Sequence, residues 1–233
     1  MKKIISIVCV VLMLIPILGA VSHAALHPPF RDVRYGDWYY DTVSKVYNAG
    51  IMKGVSATKF DPNGLMTREQ AAMIFYNLEG SGERYTHYTF TDVKAGAWYA
   101  DAVEFCYRRG ITKGITADSF GVGRYITRQD MITMIYRLYR SDWAPADKSK
   151  QQLYISKDAV KRFKDYSDIA PYALEAMRFS SGVCMIITLD HGAHINLTPI
   201  IQGSNGYVKP RSYCTRAEMA TIIYKTYYIN QFL

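Results

Sequence analysis

Thr67-Arg68, Thr127-Arg128 and Thr215-Arg216 each stand at the head of a stretch rich in large apolar residues. A threonine so placed is an N-cap, which puts the arginine at the first helical position. A cation there opposes the helix dipole by a few tenths of a kcal/mol up to about 1. Three such arginines in one chain point to a use that offsets the cost. Free amide N–H groups, the dipole and a guanidinium fork together form a receptor for a carboxylate or phosphate. The alternative is a structural salt bridge to a nearby Asp or Glu. Other residues recur alongside. Trp38 and Trp98 stand at helix starts, either as core anchors or as flat platforms for a sugar ring with the indole N–H free to donate. Asp32 and Asp92 could accept sugar hydroxyls or simply cap turns. Lys53-Gly54 and Lys113-Gly114 join charge to a backbone that a ligand can approach closely, or form solvated turns.

Catalysis finds less support. A glycosidase needs two carboxylates facing each other across a cleft, one with a raised pKa. The acidic positions here recur in equivalent places, which suits equivalent binding sites better than one asymmetric centre. No Gly-x-Ser-x-Gly elbow and no His-Glu-x-x-His pattern occurs. His191 and His194 near Asp190 are the one metal-like grouping, and their polar, glycine-bearing surroundings read as a loop. No cofactor or metal motif is present. The chain reads as a non-enzyme, with a secreted polysaccharide-active enzyme or a self-assembling surface protein as the alternatives.

What must position these residues is a repeat with a period of sixty. Phe30-Arg31-Asp32-Val33 recurs as Phe90-Thr91-Asp92-Val93, and Trp38-Tyr39 as Trp98-Tyr99. Gly50-Ile51, Lys53-Gly54, Phe60 and Thr67-Arg68 recur at the same offset. A third copy opens with Phe163-Lys164-Asp165, has Tyr172 where the tryptophans stood, and reaches Thr215-Arg216-Ala217-Glu218. Phe to Thr spans 37 positions in the first two copies and 52 in the third, where the Lys-Gly pair finds no counterpart. Copies are thus expected at 30–79, 90–140 and 163–229, the last with an insertion at about 183–206. A charged connection, 141–162, has room for a short helix of its own. Each copy reads as helix, loop, helix. Val43, Val46 and Tyr47 form an i, i+3, i+4 stripe ending at Gly50. Thr67 with Gln70, Thr127 with Asp130 and Thr215 with Glu218 have capping-box spacing, Asp130 being a shorter substitute. One helix pair cannot bury such apolar faces alone, whereas three can enclose a central three-helix bundle. The expected fold is all-α, a pseudo-threefold spindle of three helix-loop-helix repeats.

The first residues set the compartment. Lys2 and Lys3, an apolar run from Ile4 to Leu18, and small residues at Ser22 and Ala24 form a secretory signal over 1–24. Its removal takes two lysines and no acid, lowering the formal charge from +8 to +6. A secreted basic protein with no recognition-helix or zinc-finger pattern is a poor partner for nucleic acid and a better one for a wall anion. At 49% hydrophobic and 21% charged residues the chain has a globular composition. With Cys9 inside the signal, Cys106, Cys184 and Cys214 remain. Cys106 reads as a buried hydrophobe, and a Cys184–Cys214 disulfide is open.

Phe-x-Asp-Val, Trp-Tyr, Gly-Ile-x-Lys-Gly, Phe-x-Pro and Thr-Arg before an apolar helix resemble the S-layer homology module. The resemblance covers about residues 30–230, closely in the first two copies and more loosely in the third. It implies a three-pronged spindle, located at the cell wall or surface layer. Such a module binds anionic, often pyruvylated, secondary cell-wall polysaccharide and sits among other surface proteins. It implies that Arg68, Arg128 and Arg216 carry the binding arginine of the Thr-Arg-Ala-Glu motif, and that grooves between neighbouring copies hold the ligand. Tyr172 and the missing Lys-Gly pair predict weaker grooves wherever the third copy takes part.

Overall fold

The structure, a computed structural model, describes residues 27–80, 82–139, 152–155, 158–188, 194–196 and 199–231. The expected signal at 1–24 lies outside the described residues, as do Asp190 and His191. Six α-helices dominate the described residues: α1 Tyr40–Asn48, α2 Arg68–Glu79, α3 Ala100–Arg108, α4 Arg128–Tyr139, α5 Leu174–Gly182 and α6 Arg216–Gln231. The helical fold expected from the 3.6-residue periodicity is the one observed.

A small antiparallel sheet is added to it. Strands β1 Gln152–Ile155, β2 Val183–Thr188 and β3 His194–Asn196 lie in the order β1-β2-β3. Leu153 pairs with Met185, and Ile187 with Ile195. The sequence reading differs here in two places. Among its described residues the connection 141–162 holds the short helix for which it had room, a 3-10 turn at Ala159–Arg162, together with strand β1, which was not expected. The insertion in the third copy supplies the partner strands. Val-Cys-Met-Ile-Ile-Thr is β-branched and short, and it finds a pairing edge in a segment about thirty residues earlier. Local periodicity carries no trace of such a pairing.

The helix ends follow their caps. Thr67 and Gln70 form a reciprocal capping box, as do Thr215 and Glu218. Thr127 Oγ1 accepts from the Asp130 amide at 3.2 Å, and the Asp130 carboxylate turns to other partners. Gly50 and Gly110 leave α1 and α3 at φ +71° and +67°, each amide returning to a carbonyl of the last turn.

Each segment's second helix carries the next segment's first: α2 packs on α3, α4 on α5, and α6 on α1. The residues just before the caps close a ring. Met66 N–H donates to the Cys214 carbonyl at 2.9 Å, Cys214 to Ile126 at 3.0 Å, and Ile126 back to Met66 at 2.9 Å. All three side chains are buried. Every segment is thereby hydrogen-bonded to both others at the centre. Cys106 and Cys214 are free, buried thiols, so no bridge joins Cys214 to Cys184. Among the described residues no helix is long and apolar enough to cross a membrane.

Candidate functional site

Arg68, Arg128 and Arg216 are 6%, 8% and 8% exposed, and each crosses into the loop of the next segment. Arg68 Nε donates to Phe120 O at 2.9 Å, Arg128 Nε to Val208 O at 3.0 Å, and Arg216 Nε to Phe60 O at 2.6 Å. The Phe120 and Phe60 rings lie under Arg68 and Arg216, with centroids 5.0 and 4.6 Å from the guanidinium carbon. In the third segment Val208 replaces the ring. Burial lowers the pKa of Arg68 and Arg216 from the ordinary arginine value, against the pull of nearby carboxylates.

The amides expected to complete an anion receptor are already used. Arg68, Arg128 and Arg216 N–H donate to Arg124, Ser212 and Gly64 carbonyls, each at 2.9 Å. Gln129 and Ala217 N–H do likewise to Pro210 and Pro62. These carbonyls come from the neighbouring segment, which explains how a cation at the first helical position is tolerated: the helix ends face carbonyl oxygens. The guanidinium is what remains for a ligand.

Two of the three arginines also meet an acid. Arg128 Nη1 lies 2.6 Å from Glu218 Oε1, and Arg68 Nη1 lies 3.7 Å from Asp130 Oδ2. Arg216 Nη1 meets the Met66 sulfur at 3.8 Å instead, and its Nη2 donates to the Lys53 carbonyl at 2.6 Å.

The aspartates are part of the frame. Asp32 accepts from the Phe60 and Asp61 amides at 2.9 and 2.8 Å. Asp92 accepts from Phe120, Gly121 and Val122 amides and from the Ser119 hydroxyl. Burial works to raise both pKa values, but these donors outweigh it and hold both carboxyls below the ordinary range. In the third segment Asp165 accepts from the Val208 and Lys209 amides at 2.9 and 2.8 Å. Their turn-capping reading accounts for every one of these bonds.

The glycines are set by close approach. A Cβ on Gly54 would fall 2.4 Å from Phe30 Cε1, and one on Gly114 2.6 Å from Phe90 Cε1. Gly203 shows the same relation to Phe163 Cε1, at 2.5 Å. Gln202-Gly203 therefore takes the place for which the sequence showed no Lys-Gly pair. The glycine is kept by the stacked phenyl ring, while the cation is lost. Lys53 and Lys113 are exposed.

Trp38 and Trp98 are 65% and 60% exposed, each indole standing edge-on to the following tyrosine. They stand on the surface and not in the core, which is filled by phenylalanines instead. Tyr172 is 53% exposed and donates to Asp130 at 2.5 Å.

Two grooves collect these groups. One, of about 390 Å³, is lined by Arg68, Lys113, Gly114, Ile115, Asp130, Arg137 and Tyr172. The other, of about 740 Å³, is lined by Trp38, Arg128, Gln202, Gly203, Lys209, Glu218 and Lys225. Each takes an arginine from one segment, a loop from the next and an exposed ring from the remaining one. A groove here draws on three segments, where two were expected, because the ring of hydrogen bonds brings all three together. A neutral sugar could stack on the ring and bond to loop carbonyls; a carboxylate would seek the guanidinium.

Residues 29–72 and 89–132 match the S-layer homology domain. The matched stretches supply Asp32, Trp38, Lys53, Gly54 and Arg68, and their equivalents Asp92, Trp98, Lys113, Gly114 and Arg128. A surface-layer 125 kDa protein of Lysinibacillus sphaericus is 25% identical over 68% of this chain and 12% of that protein. The cellulosome-anchoring protein of Acetivibrio thermocellus is 30% identical over 39% of this chain and 21% of its own length. An amylopullulanase of Thermoanaerobacterium thermosulfurigenes is 28% identical over 84% of this chain and 9% of its own. The chain thus spans between 9% and 21% of the length of these relatives. Sequence reasoning missed Glu218, Gln202-Gly203 and Tyr172's bond to Asp130 as groove features. The capping-box spacing had already marked Glu218 and Asp130; what it lacked was the segment they face.

Proposed function

We propose that this chain is a non-covalent cell-wall anchor that acts at the cell surface. Its ligand is an anionic secondary wall polysaccharide, of the pyruvylated kind, held in the grooves between segments. It catalyses no reaction. The observation that carries this reading is the grouping in each groove of a buried arginine, a tight loop and an exposed aromatic ring from three different segments. Arginine suits a carboxylate and an exposed ring suits a sugar face, so the pair selects an acidic saccharide. Two S-layer homology stretches, and relatives named as a surface-layer protein and a cellulosome-anchoring protein, support it. The likeness to an amylopullulanase covers 9% of that enzyme, too little to carry its activity across. We read residues 163–229 as a third, divergent copy and the whole as a pseudo-threefold spindle. The closed Met66–Cys214–Ile126 ring and the parallel roles of Asp165, Gly203 and Arg216 support that assignment.

Incubation with purified walls tests the class of function. Intact protein should sediment with the walls and release no soluble sugar. Sugar release would put an enzyme in its place, and failure to sediment would remove the anchor.

A further inference from the structure

The residue just ahead of each member of the central hydrogen-bonded ring is large and exposed: Leu65 before Met66, Tyr125 before Ile126 and Tyr213 before Cys214. In extended backbone successive side chains point to opposite faces, so burying the ring member turns its predecessor outward. Each predecessor is bridged to the N-cap threonine of a helix from another segment: Tyr125 to Thr67, Tyr213 to Thr127 and Leu65 to Thr215. Tyr125 thus follows the Arg124 carbonyl that receives the Arg68 amide, and Tyr213 follows the Ser212 carbonyl that receives the Arg128 amide. The two tyrosine rings meet with centroids 5.4 Å apart and planes tilted by 58°, yet they are 48% and 51% exposed. Two large side chains in contact and half in water form a patch, and such patches mark binding surfaces.

Both tyrosines open into a further cavity of about 460 Å³, whose lining includes Arg68, Ile115, Arg124 and Asp130. It shares Arg68, Ile115 and Asp130 with the smaller groove described above, and Tyr213 with the larger one. The three cavities therefore make one path, along which the exposed aromatic side chains run Tyr172, Tyr125, Tyr213, Trp38.

We infer that Tyr125 and Tyr213 form a saddle that carries a glycan strand from one groove to the other, an uncharged sugar unit stacking on the two phenol rings. This rests on the anchoring reading above and adds a subsite built from exposed aromatic faces. Continuity with the two grooves selects the occupant, since a strand held in either groove meets the saddle at the groove's end. Tyrosine offers a flat apolar face to the C–H side of a sugar ring and a hydroxyl to its oxygens. Arg124, exposed at the edge of the cavity, is a further donor to sugar oxygens. Leu65 holds the equivalent place beside Arg216 and has no aromatic face, so only the junction between Tyr125 and Tyr213 has a phenol on both sides. Binding should then depend on strand length, because one strand in two grooves gains from linkage.

Calorimetric titration of the intact chain with polysaccharide released from purified walls, and with size-sorted fragments of it, provides the test. Affinity should rise by roughly tenfold or more at the shortest fragment that reaches both grooves. Tyr125→Leu combined with Tyr213→Leu copies the residue of the first segment, and at these surface positions the melting temperature should be unchanged. The double variant should lose that step and bind the long fragments roughly tenfold more weakly. Tyr35→Leu, which removes an exposed phenol that lines none of the three cavities, should keep it. Affinity independent of length in the unaltered chain, or a step of the same size in the double variant, would overturn the inference and leave the anchoring reading standing. A loss falling equally on the shortest and the long fragments would overturn it too, by making the tyrosines part of a single groove. So would self-association of the unaltered chain that the double variant abolishes, seen by sedimentation velocity. No binding of polymer or fragments by the unaltered chain would remove the anchoring reading itself, and the inference with it.

Discussion

Arg128 answers two demands at once, holding Glu218 at 2.6 Å and the Val208 carbonyl at 3.0 Å. Its removal leaves a partly buried carboxylate and a loop carbonyl without their donor. Arg128→Ala is therefore expected to lower stability by about 2–3 kcal/mol, measured by thermal or urea unfolding. Arg128→Lys keeps the charge and loses the planar fork, and should recover only part of that loss. Asp92 is the second residue whose role is structural. Asp92→Asn should destabilise the chain at neutral pH by about 2 kcal/mol, because two carboxylate oxygens now gather four donors. The folded pKa of Asp92 lies below its unfolded value of about 3.9. Its contribution is thus present above that pH and is lost as pH falls through the folded pKa. Unfolding curves of the two forms should be furthest apart above about pH 4 and converge below it. The Thr-Arg spacing made the arginines legible in the sequence. Their acids were not legible as partners, because Arg128 and Glu218 are 90 positions apart and meet only through the segment ring.

The elements carry a finer division of labour between glycines. Gly110 and Gly114 both have positive φ, at +67° and +77°. A Cβ on Gly110 would meet open space, while one on Gly114 would lie 2.5 Å from the Ser119 carbonyl oxygen. Gly110→Ala should cost about 1 kcal/mol, the left-handed backbone penalty alone. Gly114→Ala should cost clearly more, about 2 kcal/mol or above, because the loop facing Arg68 must open to accept it. Differential scanning calorimetry of the two variants gives the comparison. Helices α1 to α4 and their caps were readable because apolar spacing and capping residues are local signals. The β1-β2-β3 sheet was not readable, since its strands are short and separated and the pairing that stabilises them is non-local. Trp38 and Trp98 show the same limit: a tryptophan at a helix start has no local mark that separates a platform from a core anchor.

At the scale of the whole molecule, the fold is held by a ring that no single segment can form. Met66, Ile126 and Cys214 each donate to one neighbour and accept from the other. A chain ended at residue 139 would lose the Cys214 link and the donors that Arg216 brings to Phe60 and Lys53. It would also expose the face of α4 that α5 covers. Such a chain should melt without a cooperative transition, even though both matched S-layer homology stretches are present. The period of sixty disclosed the segments; the closure of the ring also depended on the third, divergent segment keeping its Asp165, Gly203 and Arg216 roles. The grooves exist only in the closed form, so binding and folding should be lost together in the shortened chain. The central claim is that these grooves recognise acidic wall polysaccharide, and one titration addresses it most directly. Polysaccharide released from purified walls is titrated into the intact chain, alongside the same polymer stripped of its pyruvyl groups. Saturable binding that weakens at least tenfold on stripping is the expected result; equal affinity for the two polymers, or no binding to either, would contradict it.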